Sequence, residues 1–339
     1  MKWNAFSLIE PAIKKTEGLL FGDAFSLKYW MKLGFVSMFS MNRIGGGFKS
    51  GGGGRNFTLP STKNERVSNI TGNAVSKFSG TTAGIVGLIA VIGLMIGLIF
   101  NYITSMFTFV FIDALFKKQY SIRQSWGESR SKGCSLFFFR IIIAIITFGG
   151  ILLIFSPLII QIASVGIGNY FENFNLLFFI GQVLLYLLLL VVWVFLISIF
   201  LTFVYDFSLV DVYTNSIGFT SAIRRTFHNL RDQKLEGLVY WLAKLVIGIV
   251  TGMAVLLLGI IYLVLLLFVG GLLGLIILLP VYLISKSILA IIALSIILGI
   301  PFLLLAFYLF NVLVLPLSVF VRYFAILGYE KLYGKKVLS

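Results

Sequence analysis

Long uninterrupted apolar runs dominate the pattern of the chain from residue 84 onward. They cover residues 84–112, 137–167, 176–204, 238–269 and 287–321. Their hydrophobicity does not alternate with a period of two, so they predict helices and not the strands of a barrel. Each run is longer than the ~20 apolar residues that cross a bilayer. The pattern therefore predicts a bundle of transmembrane helices.

A shorter apolar run, 271–284, contains Pro280 and follows the Gly270–Gly271 junction. It is too short to span a bilayer, so we expect it to be a re-entrant segment that turns around Pro280. The predicted fold class is all-α: a polytopic transmembrane helix bundle of about six membrane helices, with amphipathic interfacial helices and one short re-entrant segment.

The first 44 residues predict an interfacial region. A short amphipathic stretch follows Pro11, and the apolar stretch 33–41 is too short to span a bilayer. Lys28 and Lys32 could snorkel and lengthen it, so both a weak first membrane segment at 25–44 and a surface helix stay open.

Residues 45–79 predict a polar loop that precedes the transmembrane helical domain, 80–339. The loop begins with GGGFKSGGGG. That run lacks the GK[ST] ending of a phosphate-binding loop and is typical of a flexible linker. Two sequons, at Asn56 and Asn69, make these residues candidate glycosylation sites if the loop is external.

Composition agrees with a membrane protein. Of the 339 residues, 59% are hydrophobic and only 12% are charged. A soluble domain carries about twice that share of charge, so a large soluble catalytic domain is excluded. The single Cys134 and the single His228 allow neither an intrachain disulfide nor a Cys/His metal cluster, and we expect no metal or cofactor.

Basic residues predict the orientation of the helices. Loops 113–136 and 205–237 and the segment after residue 321 are rich in Lys and Arg, whereas loop 168–175 carries none. The positive-inside rule places the basic segments in the cytoplasm. We expect a multi-pass protein of the cell membrane with cytoplasmic N- and C-termini.

The formal net charge is +15, which predicts attraction to anionic lipid headgroups. Nucleic acid is not an expected partner, because the basic residues are scattered through short loops. A membrane protein partner is the other expected interaction. The candidate headgroup-binding residues are Lys117, Lys118, Arg123, Arg224, Arg225 and Arg231.

An internal echo joins two basic segments at an offset of 101 residues. Residues 122–143 lie over residues 223–244, so that Arg123 meets Arg224 and Trp126 meets Phe227. Each segment leads into a transmembrane run. The echo suggests an internal repeat, with shared interfacial composition as the alternative.

Ionisable residues are absent from long stretches of the apolar runs, including 141–170, 174–205 and 287–321. Because such residues mark proton relays in membranes, a proton-coupled transporter is disfavoured. Asp113 and Asp211 lie near predicted helix ends, where pairing with neighbouring arginines is expected. A paired-carboxylate mechanism would require them to lie within about 10 Å of each other, and we expect no catalytic residues.

The order of segments resembles a known group of proteins. The chain opens with WNAFSLIEPAIKKTEGLLF and FSLKYWMKLGFVSMF, continues through the glycine-rich run to FTFVFIDALF and a basic linker, and closes with VFVRYFAILG. It resembles uncharacterised archaeal integral membrane proteins, which are similar to the membrane domain of some glycerophosphodiester phosphodiesterases. The resemblance implies a helical membrane domain, without the phosphodiesterase's catalytic barrel and without transferable functional residues.

These observations predict a non-enzymatic membrane domain that acts as a scaffold or binds lipids or a partner. The alternative is a transporter or channel for an apolar or amphipathic solute, suggested by Pro280, Pro301 and Pro316. A membrane enzyme acting on lipid is the third hypothesis.

Overall fold

A computed structural model describes residues 3–22, 26–40, 80–117, 121–165, 176–285 and 288–338. These residues form helices and contain no strand, which confirms the all-α prediction. Within the described residues, a short 3-10 helix, Ala5–Leu8, leads into nine α-helices. They are α1 (Ile9–Leu20), α2 (Leu27–Phe39), α3 (Gly80–Phe116), α4 (Ile122–Val165), α5 (Leu176–Phe203), α6 (Leu209–Asn215), α7 (Phe219–Asp232), α8 (Lys234–Ser285) and α9 (Ile288–Tyr333).

Five of the described helical segments are long and apolar enough to cross a membrane, which supports a multi-pass membrane protein. They are Gly87–Phe116, Ile122–Gln161, Ile180–Asn215, Lys234–Ile277 and Ile292–Tyr333. The sequence predicts about six. The described part of the weak first segment, α2, does not add a sixth, because it has 13 residues and is only about 20 Å long.

The predicted re-entrant segment is wrong. Residues 271–284 continue α8, which runs unbroken through Pro280 to Ser285. Pro301 and Pro316 likewise lie inside α9. A proline inside a helix costs about 3 kcal/mol. Breaking the helix in lipid would strand several backbone groups at several kcal/mol each, so the continuous helix is preferred.

Buried side chains concentrate at one end of the helices. After residue 40, the buried side chains other than Ala306 fall within 104–116 of α3, 125–140 of α4, 202–226, 236–251 of α8 and 314–332 of α9. We call this region the packed end. Further along, α5, α8 and α9 expose large apolar side chains such as Leu188, Leu257 and Leu304, as expected for surfaces that face lipid.

Both terminal segments contact the packed end. Trp3 Nε1 donates a hydrogen bond of 3.0 Å to Gln233 Oε1. The side-chain amide of Gln233 donates in turn to the Leu332 carbonyl at 3.3 Å. In α2, the Tyr29 hydroxyl donates to the Ala114 carbonyl at 2.9 Å, and burial raises the pKa of Tyr29 to about 12. The two termini are thus anchored at the same end of the helices.

The chain divides into two compact units. One comprises Met1–Gly47 and Thr104–Ser339, and the other comprises Phe48–Ile103. The interactions described below lie within the first unit. The predicted boundaries near residues 44 and 79 stay a prediction. The loop 45–79, with the candidate glycosylation sites Asn56 and Asn69, lies outside the described residues.

The two segments of the suggested repeat differ in backbone but share one kind of packing. Residues 122–143 lie within the continuous helix α4, whereas 223–244 is divided at Gln233 between α7 and α8. Trp126 packs against Phe107 with ring centroids 5.2 Å apart, and Phe227 stacks on Phe200 at 5.3 Å. In both segments the aromatic side chain contacts the preceding long helix. The repeat itself stays a prediction.

The predicted orientation can be tested by labelling single cysteines. In a Cys134→Ser background, we expect Arg231→Cys, at the packed end, to react with a membrane-impermeant maleimide only after the cells are opened. Exposed Ser164, substituted as Ser164→Cys, should react on intact cells. The reverse pattern of labelling would contradict cytoplasmic placement of the packed end.

Candidate functional site: a buried charge network

A single π-helical turn, Val204–Ser208, joins α5 to α6 at the packed end. In this turn the Leu209 amide donates to the Val204 carbonyl, five residues back. Such turns arise where one residue is inserted into a helix and are frequent at functional sites. The turn carries the buried carboxylate of Asp206, which is 3% exposed, and α6 carries that of Asp211, which is 0% exposed. The π turn therefore introduces charge into a packed core.

Asp206 is the centre of a group that we call the Asp206 cluster, formed with Tyr240 and Lys244 and with Arg322, which binds the carbonyl of the neighbouring Tyr205. Its Oδ2 accepts a hydrogen bond of 2.8 Å from the Tyr240 hydroxyl and forms an ion pair with Lys244. Tyr240 is fully buried, and its ring stacks on Phe324 with centroids 5.3 Å apart. Packing thus orients the Tyr240 phenol so that its hydroxyl donates to Asp206.

Asp211 has its own set of donors. Its Oδ1 accepts from the Asn215 amide at 2.6 Å and from the Tyr329 hydroxyl at 2.8 Å. Arg225 Nη1 lies 3.8 Å from the same oxygen, and its guanidinium lies over the Tyr333 ring. The Asp211 carboxylate therefore ties α6 and α7 to the end of α9.

Asp113, at the end of α3, connects α4 and α6. It accepts hydrogen bonds from the Ser125 hydroxyl at 2.6 Å and from the Tyr213 hydroxyl at 2.5 Å. Lys117 lies 3.1 Å from it and 3.2 Å from Glu128. The hydrogen bond to Asp113 raises the pKa of Lys117, so this cation stays charged and paired at neutral pH.

Arg140 is buried without a carboxylate partner among the described residues. Its guanidinium donates to the hydroxyls of Thr104, Ser105 and Thr108 at 2.8–3.2 Å. It also lies over the Tyr205 ring, 5.9 Å from the centroid. Hydroxyl dipoles and an aromatic face take the place of a counter-ion here.

Sequence analysis identifies the uncharged stretches of the apolar runs, but it does not predict this network of buried charges. Arg140, Asp206 and Arg322 each stand one residue beyond the ends of the uncharged stretches 141–170, 174–205 and 287–321. Sequence analysis treats them only as the edges of those stretches, yet they are buried inside the candidate spans. One sequence feature could have indicated the network. Charged residues border the apolar runs of several helices, at ends that lie together in the structure.

The predicted headgroup-binding residues fall into three groups. Arg123, Arg224 and Arg231 are exposed and form no ion pair among the described residues. Lys117 and Arg225 face the carboxylates described above. Lys118 lies outside the described residues. The structure therefore retains the three exposed arginines as the available cations of this set.

The structure provides no support for a paired-carboxylate mechanism or for a metal site among the described residues. Asp113 and Asp211 hydrogen-bond to different partners, so no donor among the described residues is shared by the two as a catalytic pair. Within the same part of the chain, no group of three or more His, Cys, Asp or Glu side chains is placed to hold a metal ion.

A cavity of about 250 Å³ lies at the packed end. Its walls come from α1, the end of α3, α9 and the C-terminal tail, and include Lys15, Leu19, Phe116 and Tyr323. The tail forms part of the wall, and it is held there by Glu330 Oε1, which accepts hydrogen bonds from the backbone amides of Val337 and Leu338 at 2.6 Å. The cavity is smaller than the 300–1,000 Å³ typical of ligand pockets.

Comparison with known proteins identifies a family without giving a role. The profile described as "Family of unknown function (DUF7544)" matches residues 3–335, nearly the whole chain. No curated protein and no solved structure matches the chain. The resemblance to the membrane domain of glycerophosphodiester phosphodiesterases stays a prediction.

Proposed function

We propose that this chain, which belongs to the DUF7544 family of unknown function, is a non-enzymatic membrane protein whose packed end binds the headgroups of anionic lipids. The observation that carries the proposal is the amphipathic helix α7. Its buried face includes Phe219, Ala222 and Thr226, while Arg224 and Arg231 are exposed on the opposite side. Basic amphipathic helices of this kind lie along membrane surfaces.

Charge pairing supports this choice of surface. Asp113 and Asp211 are buried and already have hydrogen-bond donors, and Glu128 faces Lys117. Among the described residues, these carboxylates therefore leave Arg224 and Arg231 uncompensated. Each basic residue near an anionic bilayer contributes about 1 kcal/mol of binding.

Neutralising the two exposed arginines tests the proposal. For Arg224→Gln/Arg231→Gln we expect retention of phosphatidylglycerol over phosphatidylcholine to fall about 30-fold, which corresponds to ~2 kcal/mol. Native mass spectrometry of protein released from mixed bilayers measures that retention. Because both side chains are exposed, the variant should elute as the wild type does in size-exclusion chromatography.

The matched control removes two exposed cations elsewhere, in Lys14→Gln/Lys335→Gln. Lys14 is already paired with Glu10 at 2.7 Å, and Lys335 lies in the tail. This variant has the same change in net charge and should keep most of its lipid preference. Equal losses in the two variants would reduce the effect to overall charge and reject α7 as the binding surface.

The transporter alternative loses the proline-broken helices that helped to motivate it. Pro280, Pro301 and Pro316 lie within continuous helices, so they do not create the discontinuous helices on which many transport sites are built. The cavity beside Lys15 and Tyr323 is lined by other residues. We therefore favour lipid binding over transport.

A further inference from the structure

Arg322 is the member of the Asp206 cluster whose hydrogen bonds are incomplete. The residue is 2% exposed and belongs to α9. Its Nη1 donates to the Tyr205 carbonyl at 2.9 Å. Its Nε and Nη2 have no hydrogen-bond partner among the described residues. A buried charged donor without an acceptor is costly, so this arrangement requires a physical account.

The π turn explains why Arg322 is placed here. Shifting the backbone bond of Leu209 to the Val204 carbonyl changes the hydrogen-bond register of the helix. The next carbonyl, that of Tyr205, accepts from the guanidinium. This bond fixes Nη1 and leaves the opposite edge of the guanidinium, Nε with Nη2, available to another acceptor.

The charges of the cluster do not balance. Lys244 and Arg322 carry two positive charges, whereas Asp206 supplies one negative charge and is already ion-paired with Lys244. Asp211 contacts Arg225, Asn215 and Tyr329 through Oδ1 alone, and its buried Oδ2 has no hydrogen-bond partner among the described residues. No ion pair joins Asp211 to Arg322 in that part of the chain. An uncompensated charge in a packed core is strongly unfavourable, so the cluster is suited to one additional anion.

We propose that the Nε–Nη2 edge of Arg322 binds an oxyanion, a carboxylate or a phosphate group, that presents two oxygens side by side. This edge offers two parallel N–H groups in one plane, which match the spacing of two oxygens on one carbon or phosphorus atom. Lys244, with 12% of its side chain exposed, is the most accessible charged member of the cluster. The oxyanion belongs either to a lipid or to a free anion.

This site is distinct from the surface of α7. It uses neither Arg224 nor Arg231, and so does not depend on headgroup binding by those residues. The fork geometry also separates it from a general attraction of anions, because a lysine provides the charge of Arg322 but not two coplanar donors.

Thermal unfolding in a neutral detergent tests the proposal. We expect sodium phosphate and sodium acetate to raise the melting temperature of the wild type by several degrees over sodium chloride at equal ionic strength. Parallel measurements add phosphatidylglycerol or oleate to the same detergent, so that each is present in mixed micelles. Stabilisation by the lipids alone assigns the oxyanion to a lipid, stabilisation by the salts alone assigns it to a free anion, and stabilisation by all four assigns the site to oxyanions in general. No response to any of them overturns the proposal.

Two substitutions at Arg322 separate binding from structure. Arg322→Lys should reduce the rise in melting temperature produced by the oxyanions at least tenfold. Lysine keeps the positive charge but lacks the two coplanar N–H donors of the guanidinium. Arg322→Gln should abolish that rise without lowering the melting temperature in chloride, because an uncompensated charge is removed. An undiminished response in Arg322→Lys overturns the proposal.

If both Arg322 variants fail to fold, native mass spectrometry of the wild type decides. A retained adduct of phosphate or of phosphatidylglycerol that persists in Arg224→Gln/Arg231→Gln supports the Arg322 site. Absence of both adducts from the wild type, or the loss of both in that double variant, rejects it. The same double variant tests headgroup binding at α7, so the two proposals can fail separately.

Discussion

Replacing Asp206 by alanine will lower the free energy of unfolding by about 3–5 kcal/mol, the usual loss when one partner of a buried ion pair is removed. The substitution deprives Lys244 of its counter-ion and Tyr240 of its acceptor. Equilibrium unfolding of the purified protein in mixed detergent micelles measures the loss.

Two controls identify the cause of that loss. Asp206→Asn keeps an oxygen that can accept from Tyr240, so it should destabilise less than alanine. Asp232→Ala removes an exposed carboxylate at the end of α7 and should change stability by less than about 0.5 kcal/mol. An Asp206→Ala protein as stable as the wild type would show that the cluster contributes no net stabilisation.

Replacing Gly328 by leucine will destabilise the packed end by about 1–3 kcal/mol, because the position has no room for a side chain. A Cβ atom at Gly328 would lie 2.6 Å from the ring of Tyr240 and 3.2 Å from that of Phe207. Tyr240 cannot turn aside freely, since its hydroxyl is bonded to Asp206 and its ring stacks on Phe324. Leucine must therefore displace α8 or α9.

Gly252→Leu on α8 is the matched control. A Cβ atom there meets no atom of the described residues within 4 Å, and the position is exposed. Leucine is the better helix former by up to about 1 kcal/mol, so this variant should be neutral or slightly stabilised. Comparable loss in both variants, measured as the shift of the unfolding midpoint, would contradict close packing of Gly328 against Tyr240.

Part of the candidate site can be read from the chain. The sequence predicts Arg224 and Arg231 as cations of an amphipathic segment, and α7 places both on its exposed side. Helical periodicity suffices for this, because it depends on neighbours within a few turns. The same reasoning cannot separate Arg225 from Arg224, since only the approach of Asp211 and Tyr333 distinguishes them.

Local sequence patterns could not predict the Asp206 cluster. Asp206 and Tyr240 are 34 residues apart, and Arg322 reaches Tyr205 across 117 residues. No pattern of neighbouring residues predicts contacts between positions so far apart in the sequence. The π turn that carries Asp206 is also not marked by glycine or proline in VYDFS. The error over residues 271–284 has a different origin, since local weakness at Pro280 is outweighed by the requirement for backbone hydrogen bonds in lipid.

Hydrophobicity along the chain determined that the protein is helical and built to cross a membrane several times, because transfer of apolar side chains out of water and satisfaction of the backbone are properties of each segment alone. Tertiary packing alone decided which charges are buried, which remain at the surface, and that two donors of Arg322 have no acceptor among the described residues. Those outcomes depend on neighbours from distant helices, whose approach sets the local dielectric and the available partners of every ionisable group.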